Sequence, residues 1–134
     1  MPLKNLIPML NVSDIEASLR FYRGALDFDV VSDPVAVTEW RWATIRSGET
    51  ELMLSETETP PTADTGIDPH RNTAWPVIFY FYPDDVETLH TRVRAAGFTP
   101  TELGNTIYGM REFSLTDPDG HVLSFGQDVD EATG

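Results

Sequence analysis

Near the C-terminal end of the chain, Phe113 and Leu115, then Leu123 and Phe125, alternate with Glu112, Ser114, Thr116, Val122 and Ser124. A period of two marks strands with one buried face. Between the two runs lies Asp117-Pro118-Asp119-Gly120. Pro118 suits the second position of a type I turn, Asp117 can bond the backbone beyond it, and Gly120 suits the fourth position, where φ is often positive. The pattern predicts a tight hairpin from Tyr108 to Phe125.

Upstream, Leu6 to Val12 reads as a first strand. Ser13-Asp14-Ile15-Glu16 offers an N-cap serine with an acid three residues later, the capping box that opens a helix. Ile15, Leu19, Tyr22 and Leu26 then fall on one helical face, with Phe21 beside it. The helix is expected to stop between Gly24 and Asp27. Phe28 to Val31 begins a second strand, which Pro34 interrupts. Glu39 to Arg46 reads as a third strand, with Trp40, Trp42 and Thr44 on one face. Ser47 to Thr50 is a turn, and Glu51 to Ser55 a fourth strand with Leu52 and Leu54 on one side and Glu51, Met53 and Ser55 on the other.

From Glu56 to Asn72 the chain turns to Thr, Pro, Asp and Gly, the composition of an exposed connection. A connection of that length inside a compact domain is usually functional or disordered. After it the order repeats. Val77 to Tyr82 is β-prone, and Asp84-Asp85-Val86-Glu87 is a second capping box opening a helix whose buried face is Val86, Leu89, Val93 and Ala96. Gly97 is its C-cap, Phe98 to Thr101 a further strand, and the hairpin completes the set. Asp14-Ile15-Glu16 and Asp85-Val86-Glu87 open what read as two copies of one β-α-β-β-β unit.

Length and charge narrow the chemistry. At 134 residues the chain is a single domain or two fused half-size units. It has no cysteine, which rules out disulfides and thiolate metal sites. Nine basic against 22 acidic residues give a formal net charge of −13. Such a chain repels phosphate backbones and anionic lipid, so neither nucleic acid nor membrane is an expected partner. An acidic groove would instead concentrate a cationic small molecule. Met1 to Pro8 lacks the apolar run of a leader, and no stretch approaches the ~18 apolar residues of a membrane span, so a cytoplasmic location is expected.

Two stretches carry a resemblance. Asn11-Val12-Ser13-Asp14-Ile15, with Leu19, Phe21-Tyr22 and Leu26-Asp27-Phe28, is similar to the opening of the vicinal oxygen chelate superfamily. Tyr108 to Phe113 with Asp117-Pro118-Asp119-Gly120-His121-Val122-Leu123-Ser124-Phe125 is similar to its close. That superfamily includes glyoxalase I, extradiol dioxygenases, fosfomycin-resistance transferases and bleomycin-resistance proteins, and the chain most resembles the bleomycin-resistance branch. The resemblance runs from about Leu6 to Gln127 and implies an α+β fold, two β-α-β-β-β modules in a curled mixed sheet around a cavity. Module one would span about 4–57, a linker about 58–74 and module two about 75–128 of one domain, and a homodimer is expected.

The enzymes of the superfamily hold a divalent metal with His and Glu. Carried across, their ligand positions fall at about Ile7, Met53, Ile78 and Ser124, none of which suits such a metal. A shift of one residue would bring Glu51 or Glu112 closer without completing a set. His70, His90 and His121 share no ligand spacing and read as scattered surface or helix histidines. No phosphate loop or nucleophile elbow is present.

The face expected to line a cavity is instead aromatic, and Trp and Tyr stack planar ligands and cations. The expected ligand-binding residues are Trp40, Trp42, Glu51, Met53, Tyr80, Tyr82, Tyr108, Glu112 and Ser124, with Glu51 and Glu112 as charge partners. The expected activity is small-molecule binding without cofactor, catalytic residues or metal, extending to sequestration of a planar or cationic antibiotic. The alternative is a metal-dependent lyase, isomerase or dioxygenase.

Overall fold

The computed structural model describes residues 1–58 and 77–132. The anticipated linker and most of the Glu56 to Asn72 connection, with His70, lie outside the described residues. The chain divides into two compact units, Met1–Pro61 and Thr62–Gly134. The fold is α+β, with a four-stranded mixed sheet and a helix in each unit.

In the first unit, β1 (Met9–Val12), β2 (Asp29–Val30), β3 (Trp42–Ser47) and β4 (Thr50–Glu56) are ordered β1-β4-β3-β2, with β1 parallel to β4 and the other pairs antiparallel. Helix α1 (Ile15–Leu26) crosses between β1 and β2. Leu10, Val12, Ala43, Ile45, Leu52 and Leu54 are buried on one side of the sheet, as are Ile15, Phe21, Tyr22, Ala25 and Leu26 on the helix. The second unit repeats the order: β5 (Phe79–Phe81), α2 (Val86–Ala95), β6 (Gly104–Asn105), β7 (Met110–Thr116) and β8 (Val122–Asp128), arranged β5-β8-β7-β6, followed by a short α3 (Val129–Ala132). Phe113 and Phe125 stack at 5.0 Å between ring centroids, and Phe125 stacks on Phe81 at 5.2 Å.

Both helices begin one residue later than the capping boxes predict. Asp14, not Ser13, caps α1 by accepting from the Glu16 and Ala17 N–H groups, and Asp85, not Asp84, caps α2 by accepting from Thr88 N–H. The reason is tertiary. The first helical N–H is buried in each unit and takes its acceptor from the last strand: Glu56 Oε2 at 3.0 Å from Ile15 N, and Gln127 Oε1 at 2.9 Å from Val86 N. With that donor satisfied across the sheet, the carboxylate one position before it serves the next orphan groups.

Other boundaries also move. β1 starts at Met9, because Pro8 has no N–H for the ladder and joins it only through its carbonyl, bonded by Met53 N–H. The third strand starts at Trp42. Ala36–Trp40 is a π-helical turn, and Arg41 leaves it at φ 52°, so Trp40 is off the sheet and 71% exposed. Arg41 is held in that left-handed conformation by Glu56 and Glu16, at 2.8 and 3.0 Å. β5 shortens to Phe79–Phe81, and the strand expected over 98–101 is replaced by β6 at Gly104–Asn105. Leu19 and Leu89 are half-buried and Ala96 is exposed, so the buried helical faces are narrower than their periodicity suggests.

The hairpin turn forms as its residues dictate. Gly120 N–H donates to Asp117 C=O at 3.0 Å, with Gly120 at φ 90°. Asp117 is buried and accepts from the Asp119 and His121 N–H groups. His121 is not a surface histidine. It is 3% exposed, and its Nδ1 donates to Asp117 Oδ2 at 2.7 Å.

The strand-to-helix bond predicts two outcomes. Gln127→Ala leaves a buried helix N–H without its acceptor and is expected to lower unfolding free energy by roughly 1–3 kcal/mol in urea denaturation. Arg41, then the bond from Ile15 N–H, holds the Glu56 carboxyl below its ordinary value of 4.5. A depressed pKa stabilises the fold above the unfolded value and loses that stabilisation as pH falls through the folded one. Melting followed from neutral pH downward is therefore expected to show a loss below about pH 4.5, smaller in Glu56→Gln, which keeps an acceptor for Ile15 but cannot titrate.

Candidate functional site

The second unit contains a cavity of about 850 Å³, within the range of small-molecule sites. The sheet supplies its floor: Tyr80 from β5, Ser124 from β8, and Glu112, Phe113 and Ser114 from β7. Ile78, preceding β5, lines one side. Thr101, Glu102, Gly104, Asn105, Thr106 and Tyr108 line another, on the segment that leads through β6 to β7. That segment is pinned where it enters. Thr101 exchanges bonds with Ser114, receiving from its N–H at 2.8 Å through Oγ1 and donating to its carbonyl at 2.9 Å. His90 on α2 donates from Nε2 to the Thr101 carbonyl at 3.0 Å and sets its ring edge-on to Phe113.

At the centre is one carboxylate with two phenols. Tyr80 OH donates to Glu112 Oε2 and Tyr108 OH to Glu112 Oε1, each at 2.7 Å. Register explains how they meet. Tyr80 lies opposite Ser124, and Glu112 lies opposite Gly126, two residues further along the same face of β8. The Tyr80 ring leans over Gly126. A Cβ at that glycine would stand 1.8 Å from the phenol oxygen, so only glycine leaves the path open. Burial first, then the bond to Glu112, pushes the Tyr80 phenol far above its ordinary value, and the Glu112 bond raises Tyr108 too. Both phenols therefore remain protonated donors aimed at the carboxylate.

Of the residues expected to bind ligand, Tyr80, Tyr108, Glu112 and Ser124 come together in this cavity. Tyr82 is exposed beside it, its ring 5.2 Å from Tyr80. Trp40, Trp42, Glu51 and Met53 belong to the first unit. There Trp42 pairs with Ser55, Met53 lies between Met9 and Thr44, and Glu51 forms an ion pair with Arg46. Thr101, Glu102, Asn105, Thr106 and Gly126 went unanticipated. Gly126, a glycine inside a strand pattern, carried the one signal that could have been read.

A divalent metal does not fit the side chains at the superfamily's ligand positions. Ile7 and Ile78 offer no donor and Met53 only a thioether. Ser124, 9% exposed, offers a neutral hydroxyl already bonded to Ser114 Oγ at 3.0 Å. Among the described residues, no group of three or more His, Asp or Glu side chains could hold a metal ion.

Fold and site together define an α+β protein of two β-α-β-β-β units, the second carrying a ligand-sized cavity. The chain belongs to the Glyoxalase/Bleomycin resistance protein/Dioxygenase superfamily, whose family model matches residues 7–125. Among solved structures it is similar to TioX from Micromonospora sp. ML1, at TM-score 0.72 and 19% identity over 93% of this chain and 98% of that one. It is also similar to a bleomycin-binding protein complexed with bleomycin, at TM-score 0.65 and 19% identity over 94% and 99%. A third is the bleomycin-binding protein from Streptomyces verticillus complexed with copper(II)-bleomycin, at TM-score 0.64 and 22% identity over 93% and 96%. At these identities the likeness carries the fold. Among curated proteins none matches the sequence.

The geometry around Gly126 is directly testable. Gly126→Ala is expected to expel the Tyr80 ring and break its bond to Glu112. The Tyr80 phenol then ionises at lower pH, seen as earlier phenolate absorbance in an ultraviolet titration. Glu112→Gln is expected to lower both phenols, Tyr108 by the larger share of its shift, because burial leads the shift at Tyr80.

Proposed function

We propose that this chain is a metal-independent small-molecule-binding protein that sequesters a planar or cationic ligand, of the kind represented by the glycopeptide antibiotics, and does not transform it. The observation that carries the reading is the second-unit cavity, whose central carboxylate has both oxygens engaged by protonated tyrosines. Neither phenol is poised as a base, since both are shifted towards the protonated form and both donate to Glu112. The aromatic surfaces of Tyr80 and Tyr108 instead offer flat contact area at little entropic cost. The bleomycin-bound relatives share the fold, which supports a ligand of this type.

The protein acts as a cytoplasmic homodimer in this reading. Each unit exposes large apolar side chains, Met9 and Trp40 in the first and Ile78, Tyr82 and Ile107 in the second, the kind of surface that pairing covers. Among the described residues no helix is long and apolar enough to cross a membrane.

Calorimetric titration with metal-free bleomycin is the direct test. Saturable binding is expected, unchanged by chelator and weakened about tenfold by Tyr80→Ala, the scale of one lost aromatic contact. Absence of saturable heat would exclude the antibiotic version. Chelator-sensitive binding would exclude metal independence.

A further inference from the structure

The cavity also discriminates by charge. Two ionisable carboxylates line it, Glu102 and Glu112, and no basic side chain does among the described residues. The residue next to Glu112 in sequence is the basic Arg111. Strand alternation turns Arg111 to the opposite face, where it donates to Glu87 at 2.8 Å and to Asn105 Oδ1 at 2.9 Å. Among the described residues, the hydrogen bonds given to the Glu112 side chain are those of the two phenols. A carboxylate oxygen accepts about two hydrogen bonds, and each Glu112 oxygen holds one from a tyrosine. The two oxygens therefore retain matched capacity, the acceptor pattern that a forked, planar cation satisfies with two parallel N–H groups. An anionic ligand meets only repulsion here.

Resting on the reading of this cavity as the ligand site, the geometry points to Glu112 as the specificity residue for a planar amidinium or guanidinium group, clamped at the carboxylate between Tyr80 and Tyr108. Glycine at position 126 is part of the device, because it lets Tyr80 reach and orient the carboxylate.

Three shape-matched probes test this by calorimetry at physiological salt: 2-naphthamidine, neutral 2-naphthamide and anionic 2-naphthoate. Tetramethylammonium, a cation without N–H groups, reports attraction to the net charge alone. The amidine is expected to bind at least tenfold more tightly than the amide and than tetramethylammonium, with no detectable binding of the carboxylate. Glu112→Gln is expected to abolish the preference for amidine over amide, with a cooperative thermal melt showing that the variant folds. Gly126→Ala is expected to reduce it in part. Equal binding of amidine and amide, or an amidine preference that survives Glu112→Gln, overturns the charge inference and leaves the cavity a planar-ligand site. Equal binding of amidine and tetramethylammonium overturns it in favour of bulk attraction. Failure of all the aromatic probes to bind overturns both the inference and the reading on which it rests.

Discussion

One bond, made twice, organises this fold: a side chain at the end of the last strand of each unit reaches back to the first N–H of that unit's helix. Ile15 and Val86 are fully buried, so their amides cannot turn to water. Glu56 and Gln127 supply the missing acceptors, fastening each helix start to the strand at the centre of its sheet. A second tie supports the first. Arg41 pairs with Glu16, and Arg111 pairs with Glu87, joining the start of the inner hairpin to the first helical turn. The caps, the helix-start bonds and their glutamates recur at one sequence offset, from 14 to 85, 15 to 86, 16 to 87 and 56 to 127, and the arginines at one residue less, from 41 to 111, so the duplication persists in hydrogen bonds after most side chains have diverged. The hairpins differ by one residue. Thr44 faces Met53 in the first, whereas Ser114 faces Ser124 in the second, and the longer turn accommodates the buried Asp117–His121 pair.

Divergence on the other sheet face decides where the chemistry is. The position held by Tyr80 in the second unit is Met9 in the first, Glu112 corresponds to Trp42, and Gly126 corresponds to Ser55. All three changes are needed to build the phenol–carboxylate cluster. A serine at 126 would put a Cβ where the Tyr80 oxygen lies, and a tryptophan at 112 would remove the acceptor. The first unit has the same scaffold, yet the carboxylate on the corresponding face of β4, Glu51, is paired with Arg46. A shared backbone with local substitutions has therefore produced one polar aromatic pocket, in keeping with sites grafted onto a common fold.

What the sequence disclosed follows from the range of the interactions involved. The Asp117–Gly120 turn, the alternation around it and the buried faces of β3, β4, β7 and β8 depend on neighbours two to four residues away, and these were legible. So was the duplication, through Asp14-Ile15-Glu16 and Asp85-Val86-Glu87. The helix starts were misplaced by one residue because the deciding acceptors, Glu56 and Gln127, lie 41 positions away. Trp40 was misread because Arg41 adopts a left-handed conformation that only its two distant glutamates make worthwhile. His121 belongs to no ligand spacing, and its burial comes from Asp117 across the turn, which orients it as a structural donor. The third side of the cavity, from Thr101 to Thr106, has little regular structure, and neither period betrays it.

The same cluster also bears on whether the site binds or transforms. A catalytic acid or base must exchange its proton with a reacting group near working pH, which calls for a pKa moved towards neutrality. Here the shifts run the other way: Tyr80 and Tyr108 are pushed further from neutrality by the anion they serve. Tyrosine used as a base is typically assisted by a neighbouring cation, and the neighbouring charge here is negative. Such an arrangement keeps a fixed charge in a fixed place. In the proposed binding reading, donors already in place spare part of the entropy cost of ordering the site when a ligand arrives.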